Sequence, residues 1–424
     1  MVLRTVSVPS LLQSGLRSGQ GAGAACRGLD VAARMAPRAS DAVATEFAVV
    51  SDRASFDALE AEWSDLFARA GRPEQAFQSF NWLWHWANHY LSRRGATLAV
   101  VTARRNGRLV LIWPLVRERH AGLVTLAWMG APVSQYGDVL IDHVEDAADL
   151  VVASWRYVSA ALAPDLVVLR KVRADAAIAP FLAGLGATVT DRQQAPYLDL
   201  ASAPDFAAYE ARYPAKARKN RRRQQRRLEE RGAAGFETHA GGAPARDLAL
   251  RALELKRAWL SERGLVSPAL SDERMSRFIA DVADGASHPT GCRVSALKSA
   301  GEPAAIEIAI ACNGRLLVHV IVYALKFAKT GAGNLLVEEC VRQAKRERFE
   351  RFDLLAPGDA YKMEWADGAV AVDDVAIALT RAGRYYRAIY LDIIRGRLKA
   401  AVGMLPTGVR RVVTAGYAAF AGII

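Results

Sequence analysis

Apolar positions along the chain switch between a period of two and a period near 3.6, and this switching predicts most of the elements. Residues 46–51 read as a strand and residues 55–70 as a helix, with Phe56, Leu59, Trp63, Leu66 and Phe67 on one face. The aromatic-dense run 77–86 leads into a short helix ending near Tyr90, which Ser79 or Asn81 can cap. Residues 97–104 and 108–116 form a hairpin around Asn106-Gly107, a pair suited to a two-residue turn. Strands at 123–129 and 139–141, a helix at 147–161, a strand at 165–169, a helix at 176–185 and a strand at 188–190 complete a unit ending near Leu200.

A second unit begins with a helix at 214–231 that stops at Gly232. Next come a strand at 235–239, helices at 245–263 and 272–283, and strands at 292–298 and 303–311. A long apolar strand at 315–325 runs into the turn Lys329-Thr330-Gly331-Ala332-Gly333. From that turn grows an amphipathic helix with Leu335, Leu336, Cys340, Val341 and Ala344 inward. Strands at 351–355 and 370–379 follow, and residues 385–424 read as a helical tail. Strand, helices, meander, helix and strand recur in both halves, which predicts a duplicated α/β architecture without a legible repeat. The expected organisation is a disordered segment 1–44, one domain over 45–200, a second over 201–384, and the tail. Residues 1–44 lack any periodic pattern. A start placed too early, with Met35 as the true beginning, explains them better than an organellar presequence does.

Composition narrows the class. An apolar fraction of 52% and a charged fraction of 24% suit a globular protein with large cores, and no apolar run reaches the roughly 18 residues of a membrane span. The formal charge of +12 is concentrated: residues 1–40 carry five arginines against Asp30, and residues 210–231 carry ten Lys/Arg against three Glu. These two stretches hold +4 and +7, so the rest is nearly neutral. The four cysteines, Cys26, Cys292, Cys312 and Cys340, show neither paired nor zinc-ligand spacing and are expected to be reduced core residues of a cytoplasmic protein. His85 and His89 have the spacing of a helical metal pair but no carboxylate between them, so no metal is expected.

The candidate chemistry gathers in residues 315–365. Strand, glycine turn and helix is a layout that binds phosphate, because the first N–H groups of the helix point outward and glycine lets an anion approach. Lys329, Thr330, Gly331, Ala332, Gly333 and Asn334 are therefore candidates for cofactor binding, with a ligand-free tight connection as the plainer alternative. Alternation puts Leu317, His319, Ile321 and Tyr323 on one strand face, and Glu307 stands between Ala305 and Ala309 on its neighbour. A buried Glu307 would be a general base, and His319 could serve equally; for each, a satisfied structural role is the alternative. Tyr361 and Lys362 follow a strand end, where sites on α/β sheets lie. Asp353 is a further catalytic candidate, or else a structural acid capping the chain or pairing with Lys362. Lys216, Lys219, Arg222, Arg223 and Arg226 on the basic helix predict an anionic partner, since clustered cations repel one another.

Five stretches, in order, resemble one family: FQSFNWLWHWANHY, ARRNGRLVLIWPLVRER, QYGDVLI, KARKNRRRQQRRLEERG and FDLLAPGDAYKMEWAD. Together they resemble the CelD/BcsL-type acetyltransferases of the GNAT superfamily, named for bacterial cellulose biosynthesis, over residues 46–379. The resemblance implies tandem GNAT-like domains with mixed sheets flanked by helices. It also implies transfer of an acyl group from acyl-CoA (acetyl-CoA) to an amine or hydroxyl of a sugar or polysaccharide precursor. On that reading the glycine turn holds the diphosphate, Tyr361 protonates the departing thiolate and Lys362 binds acceptor or phosphate. One departure is that the GNAT loop is usually Q/R-x-x-G-x-G/A, whereas this turn supplies only its glycine part. The chain is also similar to FemABX transferases, which use aminoacyl-tRNA. A non-catalytic polyanion-binding protein on the same scaffold is a third reading. Peripheral attachment at the inner membrane is compatible with all three.

Overall fold

The computed structural model describes residues 44–91, 96–120, 122–265, 267–285, 290–394, 397, 401, 404–405 and 408–409. The segment expected to be disordered and most of the helical tail expected over 385–424 lie outside these residues. Fifteen strands occur among the described residues. The first nine are β1 (Thr45–Val50), β2 (Thr97–Leu98), β3 (Val100–Arg105), β4 (Arg108–Trp113), β5 (Leu115–His120), β6 (Leu123–Trp128), β7 (Leu140–Ile141), β8 (Leu166–Arg173) and β9 (Thr188–Asp199). The others are β10 (Ala234–His239), β11 (Thr290–Ser299), β12 (Glu302–Cys312), β13 (Arg315–Tyr323), β14 (Arg351–Asp353) and β15 (Gly368–Ala378). They build a four-stranded sheet, β1-β3-β4-β7, and an eleven-stranded mixed sheet, β10-β11-β12-β13-β14-β9-β15-β8-β6-β5-β2.

Local chemistry explains where the expected elements hold and where they shift. Asn106 and Gly107 both take left-handed φ (51° and 76°), as a two-residue hairpin between β3 and β4 requires. The expected strand 108–116 is interrupted at Pro114, which has no N–H for the ladder. β4 therefore stays in the small sheet, while Leu115 pairs with Trp128 in the large one. The expected helix 55–70 divides into Arg53–Asp57, capped by Asp52 accepting from the Ser55 N–H at 2.8 Å, and Glu60–Ala70. β9 runs twelve residues rather than the expected three. Its Asp191-Arg192-Gln193-Gln194 stretch has poor strand propensity, but pairing with β15 along this stretch overrides it.

Three large apolar cores organise the packing, with a small fourth cluster at Leu166, Ala376 and Leu391. The first lies on one face of β11–β13, where helices Gly242–Glu262 and Glu273–Asp284 meet the aromatic run of the first half. Trp82 is central there, 4.9 Å from Phe278 and 5.8 Å from His319 between ring centroids. Burying side chains of this size stabilises by about 2–3 kcal/mol each. The second core sits between the two sheets of the first half around Trp113 and Trp155. The third covers the opposite face of β12–β13 with helix Ala332–Arg346 and Leu228 of the basic helix Ala215–Glu229.

β13 departs from simple alternation. Ile308 pairs with Val320 and Ala309 with Val318, so His319 is an extra residue, a β-bulge. The bulge reverses the faces beyond it. Leu317, Val320 and Val322 face the first core, whereas Ile321 and Tyr323 face the third. The expectation that Leu317, His319, Ile321 and Tyr323 share a face is therefore corrected.

Candidate functional site

The bulge sits where the large sheet opens. β13 and β14 pair in parallel only from Arg315↔Arg351 to Leu317↔Asp353. Beyond Leu317, β13 continues to Tyr323 while the other chain turns away at Leu355, whose φ is 58°. The β13 edge from Val318 to Tyr323 thus lies bare inside the sheet, a row of backbone groups able to pair with an extended chain.

The glycine turn lies at the tip of this edge. After a short 3-10 segment, Leu325–Thr330, Gly331 adopts φ 78° and starts helix Ala332–Arg346. A side chain at Gly331 would strike Gln224, whose Cδ is 2.4 Å from the added Cβ, while one at Gly333 would meet Tyr323 at 3.3 Å. The N–H groups of Ala332 and Gly333 begin the helix and have no partner within it. Lys329 is exposed, and Asn334 is half-buried with its N–H given to the Gly331 carbonyl. Thr330 is turned inward, its hydroxyl donating to the Phe327 carbonyl at 2.7 Å. Thr330 and Ala332 thus offer backbone rather than side chain. The basic helix packs against this turn, and there Gln224 Oε1 and Arg218 Nε are buried without a partner among the described residues.

Glu307 lies on the helix Ala332–Arg346 face of β12, fully buried, with the Cys340 thiol as hydrogen-bond partner and Oε2 unpartnered. Burial pushes its carboxyl up to about 8, only partly offset by Cys340 and Arg293. Tyr361, on helix Ala360–Trp365, is close enough to Glu307 and Asp359 to feel both charges. Burial first, and these two charges after it, push its hydroxyl up to about 12, although the residue as a whole is 39% exposed. Lys362 donates to the Leu355 and Pro357 carbonyls, both at 3.0 Å, and burial pulls its ammonium down to about 8.

His319 faces the other side, among Phe77 and Trp82. Its Nε2 lies 2.8 Å from the Val133 carbonyl, an acceptor, so Nε2 carries the proton and Nδ1 is left buried without a partner. Burial drives it down to about 4. Asp353 does not pair with Lys362. It ion-pairs with Arg173 at 3.0 Å and accepts from Tyr136 Oη at 2.8 Å and from the Leu355 N–H at 2.9 Å.

Of the sequence candidates, the fold gathers Glu307, Tyr361 and Lys362 with Lys329–Asn334 along one opening, with His319 behind it. It adds two lysines that sequence reasoning passed over. Lys256 of helix Gly242–Glu262 donates to the Ile321 carbonyl on the bare edge at 3.1 Å. Lys171 at the end of β8 donates to Gln135 Oε1 at 2.6 Å. Lys256 had a visible signal, since it falls three and four residues after the inward-facing Leu253 and Ala252. Lys171 had none.

The basic helix has two faces. Lys216, Lys219, Arg222, Arg223 and Arg226 are all exposed. Arg221 is buried, with Nε 2.9 Å from Glu338 Oε2 as an ion pair outside hydrogen-bond alignment, and with the Tyr213 and Trp365 rings beneath it. Of the histidines at 85 and 89, His89 contacts Asp281 Oδ2 through Nε2 at 2.7 Å, and His85 is half-buried. No helix among the described residues is long and apolar enough to cross a membrane.

Residues 215–363 match the family described as an acetyltransferase (GNAT) domain. Among solved structures, FemX is similar at 9% identity and TM-score 0.53, over 80% of this chain and 99% of that one. A tandem GNAT protein from the clavulanic acid biosynthesis pathway is similar at 15% identity and TM-score 0.44, over 78% and 98%. The C-terminal domain of a lysylphosphatidylglycerol synthetase from Agrobacterium fabrum is similar at 14% identity and TM-score 0.48, over 79% and 95%. Comparison with curated proteins gives no match.

Proposed function

With a GNAT acyltransferase domain over residues 215–363 as the premise, we propose that the chain transfers an acetyl or similar acyl group to an amine or hydroxyl of a sugar or envelope-polysaccharide precursor. The reacting centre is the opening between β13 and β14. The second half, 201–384, carries the donor site and the chemistry, and the first half, 45–200, shapes the acceptor side. The observation that carries this reading is the conjunction of a bare strand edge, a glycine-started helix at its tip and a buried, partly unpartnered carboxyl beside it.

The turn fits the diphosphate of acyl-CoA. The backbone N–H groups of Ala332 and Gly333 open the helix with its dipole behind them, Gly331 supplies the left-handed turn that starts it, and Lys329 adds a cation. Acyl-CoA, when bound, supplies an acyl thioester. The β13 edge holds an extended amide-bearing chain by strand-like pairing. Glu307 takes a proton from the acceptor, for which a carboxyl raised to about 8 is near the useful range. Tyr361 holds its proton at Oη at neutral pH and gives it to the departing sulfur. Lys362 and Lys256 occupy carbonyl oxygens at the two lips of the opening and stand ready to turn to an acceptor. His319, held near 4, keeps a neutral ring that shapes the wall beneath the bulge.

Acetyl-CoA should raise the thermal midpoint, by about 2.7 kcal/mol of stability at a hundredfold excess over Kd. Tyr361→Phe should cut turnover at least tenfold while leaving that shift in place. No shift with any acyl-CoA defeats the reading.

A further inference from the structure

We propose that the chain just beyond β15 is a membrane-docking face, and that its partner is the surface of a bilayer containing anionic lipids. This face stands apart from the acyl-transfer reading. Helix Arg381–Tyr386 follows β15 and continues as a π-helical segment, Arg387–Ile394. Thr380 starts it, accepting from the Gly383 N–H at 3.1 Å and donating to Asp165 Oδ1 at 2.7 Å. Gly383 lies against the Asp165 carbonyl, where a Cβ would not fit. Leu391 is buried with Leu166 and Ala376, Tyr386 and Tyr390 pack beside them, and Arg387 donates to Thr188 Oγ1 at 2.6 Å. One side of the segment is therefore fixed to β8 and β15, on the face opposite the second core.

The other side is apolar and uncovered. Tyr385 is 71% exposed, and Ile393 and Ile394 are exposed as well. Leu123, Ala382, Tyr385, Tyr386, Ile389 and Tyr390 line an open groove of about 280 Å³ there. Of the eleven exposed large apolar side chains among the described residues, six lie between Leu379 and Val409, so they form a concentration rather than the single scattered residues ordinary on a surface.

Cations frame this apolar side. Residues 381–424 carry eight Lys/Arg against Asp392 alone, a net +7 hidden in a remainder that balances overall. Arg381 and Arg384 are exposed and have no ion pair among the described residues. Asp165, the acid at the start of the helix, is occupied by the Thr380 hydroxyl and the Val124 N–H. Residues 412–424 carry no charged side chain, but they are fewer than the roughly 18 a span requires.

The combination selects the partner. Tyrosine and isoleucine interleaved with arginine suit a segment lying in the lipid interface, where tyrosine rings sit at headgroup level and each cation is drawn to a negative leaflet. A water-soluble polyanion would meet the cations and leave the groove wet. A second copy of the chain would cover the groove, but a two-fold contact would bring the same cations face to face.

The test is flotation of the full chain with vesicles of phosphatidylcholine alone and of phosphatidylcholine mixed with phosphatidylglycerol. The mixed vesicles should carry the protein upward, phosphatidylcholine alone should carry little, and added salt should release it. Arg381→Glu with Arg384→Glu should weaken partitioning about thirtyfold or more. Tyr385→Ser with Ile393→Ser should weaken it about tenfold. All four side chains are exposed, so neither pair should move the thermal midpoint appreciably, and the charge pair carries the test if the apolar pair does. Arg222→Glu with Arg223→Glu should float like the wild type, which separates this face from the basic helix. A wild type that ignores the mixed vesicles overturns the proposal. So does binding that survives both tail variants, or that is lost in the basic-helix variant instead. Light scattering on the free protein reads the competing outcome: a dimer that Tyr385→Ser with Ile393→Ser dissociates, without flotation of the wild type, assigns the face to a second copy and overturns the proposal.

Discussion

Glu307→Gln should make the protein more stable and less active at once, and both effects should follow pH. Glu307 is buried between the sheet and helix Ala332–Arg346, and its carboxyl is raised from its ordinary 4.5 to about 8. Its folded value therefore lies above its unfolded one, and the stability linked to it is complete below pH 4.5. It is lost as the pH climbs toward 8, because the unfolded chain releases a proton that the folded chain retains. The slope is about 1.4 kcal/mol per pH unit, which gives on the order of 3 kcal/mol at pH 7 and at most about 5 at pH 8. Glutamine keeps the shape without the charge, at a cost of about 1 kcal/mol for amide hydrogens that find no acceptor. Urea unfolding of both proteins at pH 5, 6, 7 and 8 should show the variant gaining on the wild type at each step. If Glu307 is the base, wild-type kcat/KM should rise toward an apparent value near 8, and the variant should lose about a hundredfold or more. A stability difference that stays flat between pH 5 and 8 refutes the burial argument. Retained activity in the glutamine variant refutes the base assignment alone.

Three further outcomes separate packing from chemistry. Arg221→Ala should cost about 2–3 kcal/mol in chemical unfolding, since it leaves Glu338 with Arg342 alone and uncovers two rings, whereas Arg222→Glu with Arg223→Glu should stay within about 0.5 kcal/mol per residue and abolish salt-sensitive retention on heparin. Gly331→Ala combines left-handed backbone strain of about 1–2 kcal/mol with a clash at Gln224, so acetyl-CoA affinity should fall, and adding Gln224→Ala should relieve only the clash. Asp353→Asn should destabilise by about 1–3 kcal/mol, because Arg173 keeps Asp175 but loses its fully buried partner, and any activity lost should return in proportion to the folded fraction.

The sequence carried the strand and helix layout well wherever period and punctuation agreed. The Asn106-Gly107 hairpin, the meander through β13, and the helix after Gly331 all stand where periodicity put them. It carried less where tertiary pairing decided the outcome. The polar β9 became a long strand because β15 lies beside it, and one proline moved the chain between sheets at residue 114. The bulge at His319 was not visible at all. A bulge is defined by what the partner strand does, and alternation within one strand cannot report it. The same limit applies to Lys171, whose neighbours come from loop 134–137 and from Asp374, two hundred residues along the chain.

The stretches that gave the sequence its family likeness divide into two physical jobs. Gln75 and Arg72 donate to Asp138, and Gln78 donates to the Tyr136 carbonyl. Tyr136 in turn donates to Asp353, which Arg173 also pairs. That network ties the aromatic run, the tyrosine–aspartate loop and β14 into one buried polar frame, and each of its charges has a partner. Just beyond Asp353 the frame ends and the chain leaves the sheet at Leu355. From there on, the ionisable groups are no longer matched: Lys362 and Lys256 rest on carbonyls, and Glu307 keeps an unpartnered oxygen. A satisfied frame is rigid because removing any member strands another, while unmatched groups are free to change partner when a ligand arrives. The boundary between the two runs through the few residues from Asp353 to Lys362. It places the unmatched charges at the opening of the sheet, with the satisfied network immediately behind them to fix where that opening lies.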